Sequence, residues 1–168
     1  MKRMPTGAFV LLVALFVGLG TARAAEIGGP ISSTLTIMED SELIDDVTCT
    51  VSDGPCIAFG APDIKLELNG FTITGLAGAD APCSKSGPGQ AGIAVDNQRG
   101  DVIQGPGLVQ QFLNFGIRLS QSTGTVVRNV TLASNCFSGI IVIGGSENKL
   151  VENVSDRNGS PDAPCGGI

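Results

Sequence analysis

Gln104, Arg128 and Glu152 recur at a constant interval of 24 residues. An amide, a guanidinium and a carboxylate stacked in that order on one face could hold a sugar by its hydroxyls or by a uronate carboxylate. The plainer account is an exposed cross-strand ion pair contributing about 0.2–1 kcal/mol, and it is the one the residues favour. Arg118 adds an outward cation nearby, but a single arginine does not make a site.

Other groups capable of chemistry are few. The chain has no histidine, tyrosine or tryptophan. That removes imidazole acid–base chemistry and imidazole metal ligation, and it removes a phenolate base. The only adjacent aspartates, Asp45 and Asp46, lie in an acidic run with Glu39, Asp40 and Glu42. Carboxylates suit calcium, yet this spacing matches no calcium loop, and the run reads as a solvated polar cap. Phenylalanine must supply any sugar-stacking surface. Phe112, Phe115 and Phe137 lie near turns, and Phe59 and Phe71 fall in or beside core columns. No catalytic residue, metal site or cofactor is expected.

Five cysteines, Cys49, Cys56, Cys83, Cys136 and Cys165, follow the N-terminal segment. In an exported chain they read as disulfides. Cys49 and Cys56 flank a short loop and suit a local bridge. Cys136 and Cys165 each precede an isoleucine of the repeat described next, which would bring them about 4.8 Å apart on neighbouring strands. Cys83 is then left over.

The elements that position these residues show as columns. Ile57, Ile93, Ile117, Ile140 and Ile168 follow one another at intervals of 36, 24, 23 and 28, and Gly92, Gly116, Gly139 and Gly167 precede four of them. A second column holds Leu68, Ile103, Val127 and Val151. A third holds Gly70, Gly105, Asn129 and Asn153, and a fourth Phe71, Pro106, Val130 and Val154. One insertion, residues 77–90, lengthens the first step of each. Short strands separated by Gly, Asn and Asp turns, with apolar columns in register, predict a parallel stack. The expected fold is all-β, a right-handed parallel β-helix solenoid of about four to five coils, each of 23–24 residues.

Asn129 and Asn153 begin glycosylation sequons. Their place in the third column favours a different role, an asparagine ladder that satisfies turn backbone groups.

The N-terminus reads as a secretory signal: Lys2 and Arg3, an apolar run over residues 8–19, and a small-residue cleavage site between Ala24 and Ala25. The apolar run is short of the roughly 20 residues that span a bilayer, and no later segment is suited to span one. Residues 25–56 read as an N-terminal cap segment and 57–168 as the repeats, cut short at the C-terminus. Without residues 1–24, seven basic residues face 16 acidic ones. That balance disfavours nucleic acid and anionic membranes as partners.

The segments Leu66-Glu67-Leu68-Asn69-Gly70-Phe71-Thr72-Ile73-Thr74-Gly75 and Gly105-Pro106-Gly107-Leu108-Val109, with the repeats over residues 116–139 and 139–159, resemble the pectate-lyase-like superfamily of right-handed parallel β-helix proteins. The resemblance is nearest to a broad, uncharacterised bacterial group. It implies polysaccharide lyases, polygalacturonase-type hydrolases and uronate epimerases as enzyme relatives, but their His, Tyr and paired-Asp motifs are missing here. The expectation is an exported, non-catalytic protein, secreted, periplasmic or at the cell surface, that contacts polysaccharide or cell-envelope glycan. The alternatives are an enzyme fragment whose catalytic coils lie further along, and an adhesin-like module. Self-association through an uncapped C-terminal coil is also expected.

Overall fold

The computed structural model describes residues 23–77, 83 and 90–159. Most of the expected signal segment, most of the insertion, and Cys165 and Ile168 lie outside them. The described residues form fifteen strands, and no described helix is long and apolar enough to cross a membrane.

Three strands open the chain: β1 (Ala25–Ile31), β2 (Leu35–Ile37) and β3 (Ser41–Cys49). The repeats follow. β4 (Pro55–Phe59), β7 (Ala91–Asp96), β10 (Phe115–Ser120) and β13 (Ser138–Ile143) join β2 in a five-stranded parallel sheet. β5 (Lys65–Glu67), β8 (Val102–Gln104), β11 (Val126–Arg128) and β14 (Lys149–Val151) form one arm of a second parallel sheet. β6 (Thr72–Thr74), β9 (Leu108–Gln110), β12 (Thr131–Ala133) and β15 (Val154–Asp156) form its other arm.

The isoleucine column is a physical stack. Leu35, Ile57, Ile93, Ile117 and Ile140 are register partners along β2, β4, β7, β10 and β13. Burying each such side chain is worth about 1.5–3 kcal/mol. The preceding glycines are required by the stack itself. A Cβ on Gly92 would lie 2.7 Å from the Gly116 carbonyl oxygen, and one on Gly116 would lie 2.7 Å from that of Gly139.

The expected right-handed parallel β-helix is corrected by the sheet topology. The two arms are not separate faces of a coil. β5 and β6 both pair with β3, so the arms are one continuous ten-stranded half-barrel, with β1 also on β3, packed over a shared core against the five-stranded sheet. The cause lies in β3. Ser41 and Glu42 pair with Leu66 and Glu67, while Val47 and Thr48 pair with Ile73 and Thr74. The later repeats break the chain at this place with a left-handed residue, Asn69, Asn129 or Glu152, or with the cis peptide Gly105–Pro106. Ser41–Cys49 contains no such break and runs through as nine residues.

The columns of the first arm are shifted by one or two residues from those expected. Ile103 pairs with Leu66, not Leu68, and Val127 pairs with Leu150, not Val151. From β11 to β14 the register step is therefore 23 rather than 24.

Candidate functional site

The outward face of β5, β8, β11 and β14 carries the polar residues. Leu66, Ile103, Val127 and Leu150 point to the core, so their strand neighbours point away. One outward row is Glu67, Gln104, Arg128 and Val151. The other is Lys65, Val102, Val126 and Lys149.

Two of the three residues expected to bind do meet. Arg128 is the register partner of Gln104, and its Nε donates to Gln104 Oε1. Glu152 does not join them. The 23-residue step puts Val151 opposite Arg128 and carries Glu152 into the following turn, exposed and with φ 55°. In its place the face gains Lys149, which sequence spacing alone did not single out.

This exchange changes the charge of the face. At its start Lys65 Nζ lies 2.5 Å from Glu67 Oε1, and that contact raises the lysine's pKa above its ordinary value. Among the described residues no carboxylate pairs with Arg128 or Lys149. Two exposed cations thus stand among Val126, Val151 and the Gln104 amide, in an otherwise acidic chain.

Arg118 points outward on the other sheet, as expected, but it is engaged. Its Nη2 lies 2.6 Å and its Nε 3.2 Å from the two carboxylate oxygens of Asp96.

The Asn129–Asn153 ladder is also corrected by the register. Asn129 falls opposite Glu152, is exposed and has φ 56°. Asn153 falls opposite Val130 and bonds the earlier backbone. Its Oδ1 accepts the Val130 N–H at 3.0 Å, and its Nδ2 donates to the Val127 carbonyl at 2.9 Å. A direct amide-to-amide contact occurs instead at Asn135 and Asn158.

Cys49 is bonded to Cys56. Cys136 is bonded to Cys83, not to Cys165, with the Cα atoms 5.2 Å apart. The bridge fixes the insertion to the turn between β12 and β13.

The acidic run is spread along β3 and the turn before it. Asp40 Oδ1 accepts the Lys65 N–H and Asp46 Oδ1 the Thr72 N–H, each at 2.8 Å, and Glu42 accepts from the Asn69 amide. These carboxylates hold the first strands of both arms to β3. Phe112 is fully buried, while Phe115 and Phe137 meet edge to face at 5.7 Å and are half-buried.

Comparison with protein-family models, curated proteins and solved structures finds no match to this chain. The resemblance to pectate-lyase-like proteins is carried by the sequence segments alone.

Proposed function

We propose that this protein is an exported, non-catalytic module that binds an acidic glycan through the outward face of β8, β11 and β14. The observation that carries this reading is the pair Arg128 and Lys149, exposed and without carboxylate partners among the described residues of an acidic chain. Uronate carboxylates would meet these cations, hydroxyls the Gln104 amide, and the apolar faces of sugar rings Val126 and Val151. Charge-assisted hydrogen bonds of this kind are the strong ones. The two disulfides fit an oxidising compartment.

The test is titration calorimetry with oligogalacturonate beside a neutral glucan. Binding to the acidic oligomer should weaken at least tenfold in the Arg128→Ala, Lys149→Ala double variant and should fall with added salt. Equal affinity of wild type and double variant would defeat the reading.

A second reading, self-association, is favoured by one specific feature. Val142, Ile143, Val151 and Val154 are all exposed, and all sit on the last strands, β13, β14 and β15. Among the described residues no further strand pairs with these three, and apolar side chains at such an edge invite a second copy.

A further inference from the structure

Four asparagines make the same two hydrogen bonds. The side-chain oxygen of each accepts a backbone N–H from the preceding repeat: Asn135 from Phe112 at 3.1 Å, and Asn148, Asn153 and Asn158 from Thr125, Val130 and Asn135 at 3.0 Å. The side-chain nitrogen of each then donates to the carbonyl three residues before that N–H. The acceptors are Val109, Ser122, Val127 and Leu132, at 2.9–3.2 Å. Each amide thereby satisfies a turn donor and a turn acceptor together.

Asp101 occupies the same place in an earlier repeat. The registers that set Val102 against Val126 and Val126 against Lys149 also set Asp101 against Thr125 and Thr125 against Asn148. Asp101 Oδ1 accepts the Ile64 N–H at 3.2 Å, which is the first of the two bonds. The second is missing. Asp101 is fully buried, yet its Oδ2 has no partner. Thr125 Oγ1, next in the column, is buried and unpartnered as well, so it gives Oδ2 no hydrogen. By the shared pattern, the carbonyl that an amide would serve here is that of Ala61, three residues before Ile64.

We propose that Asp101 is a protonation switch. In its protonated form the folded protein carries it as a neutral carboxylic acid whose Oδ2–H donates to the Ala61 carbonyl, in the role the asparagine amide plays elsewhere. Loss of that proton leaves two oxygens facing each other in a buried corner and loosens the turn between β7 and β8.

The surroundings agree. Burial, the largest influence, outweighs a lowering by the Ile64 N–H and is joined by the Asp63 carboxylate, and together they put the Asp101 pKa at about 6. Asp63 belongs to the turn ahead of β5. Thr125 and Asn148, from the following repeats, carry no charge. Arg99 lies on Asp101's own turn, where its backbone carbonyl is bonded by the Asp63 N–H. An unfolded aspartate titrates near 3.9. The folded value is higher, so the stabilisation is complete below about pH 4 and is lost as pH rises through about 6. A gap of about two pH units corresponds to roughly a hundredfold change in the unfolding equilibrium constant.

Asparagine supplies the missing donor at every pH. Urea unfolding of wild type and Asp101→Asn should agree within about threefold at pH 4 and diverge toward a hundredfold in favour of the variant at pH 8. An equal gap at both pH values, or a variant less stable at pH 8, would overturn the proposal. Asp63→Asn separates charge repulsion from the missing donor. It should recover only a small part of the gap, and recovery of the whole would also overturn it. Should Asp101→Asn not fold, an NMR titration of the wild-type Asp101 carboxyl decides: an inflection near pH 6 supports the switch, and one near pH 4 refutes it.

Discussion

Asn135 gives two hydrogens to one oxygen of Asn158. Its backbone N–H lies 3.0 Å and its Nδ2 2.9 Å from Asn158 Oδ1, while its own Oδ1 accepts from Phe112. Asn135 is fully buried, so none of these groups has water to turn to. Asn135→Leu should strand the Phe112 N–H and the Val109 carbonyl. The expected loss is about 2–4 kcal/mol, read as a lower urea midpoint with an unchanged slope.

The bridge between Cys83 and Cys136 closes a sequence separation of 53 residues, against 7 for Cys49 and Cys56. Loop-closure entropy then predicts that Cys136→Ser costs about 4 kcal/mol and Cys56→Ser about 2–3 kcal/mol. Peptide mapping without reduction should recover a fragment joining Cys83 to Cys136. A fragment joining Cys136 to Cys165 would contradict the pairing.

Gly116 allows its strand to sit between its neighbours. Its Cβ would meet the Gly139 carbonyl oxygen at 2.7 Å, the Asn135 Nδ2 at 2.8 Å and a Leu132 methyl at 2.8 Å. The first of these is backbone and cannot step aside. Gly116→Ala should destabilise by about 1–3 kcal/mol or more, seen as a lower thermal midpoint. Gly124→Ala is the instructive contrast, because there the space is open and only the left-handed φ of 69° resists.

Association through the last strands has its own check. Val154 is the most exposed of their large apolar side chains, at 54%. Val154→Lys should shift sedimentation of a concentrated sample toward monomer without altering the unfolding midpoint. A wild type that stays monomeric at high concentration would remove this reading and leave the glycan-binding proposal untouched.

What could be read from the sequence follows from which signals are local. The isoleucine column was legible because its described side chains are all buried in one stack and glycine marks the place before Ile93, Ile117 and Ile140. The first arm was harder. Leu150 and Val151 are adjacent and both apolar, so the interval of 24 suggested Val151, although Ile117 and Ile140 already stand 23 apart. That one-residue slip placed Glu152 in the outward row beside Arg128 and hid Lys149, since a shift of one reverses the side of every strand residue. The merging of the two arms rests on an absence, the lack of a turn residue within Ser41–Cys49. The pairing of Cys83 depends on the path of an insertion that obeys no period.

The ladders also say how this chain must come together. Among the described residues no strand pairs with the one directly before or after it in sequence, and the nearest partners, Ala25 and Ser41, stand 16 residues apart. The described strands therefore form no hairpins. A chain lengthening from its N-terminus closes no pair of these strands until the partner strand, at least 16 residues further on, has followed. Such a topology is slow to fold for its size.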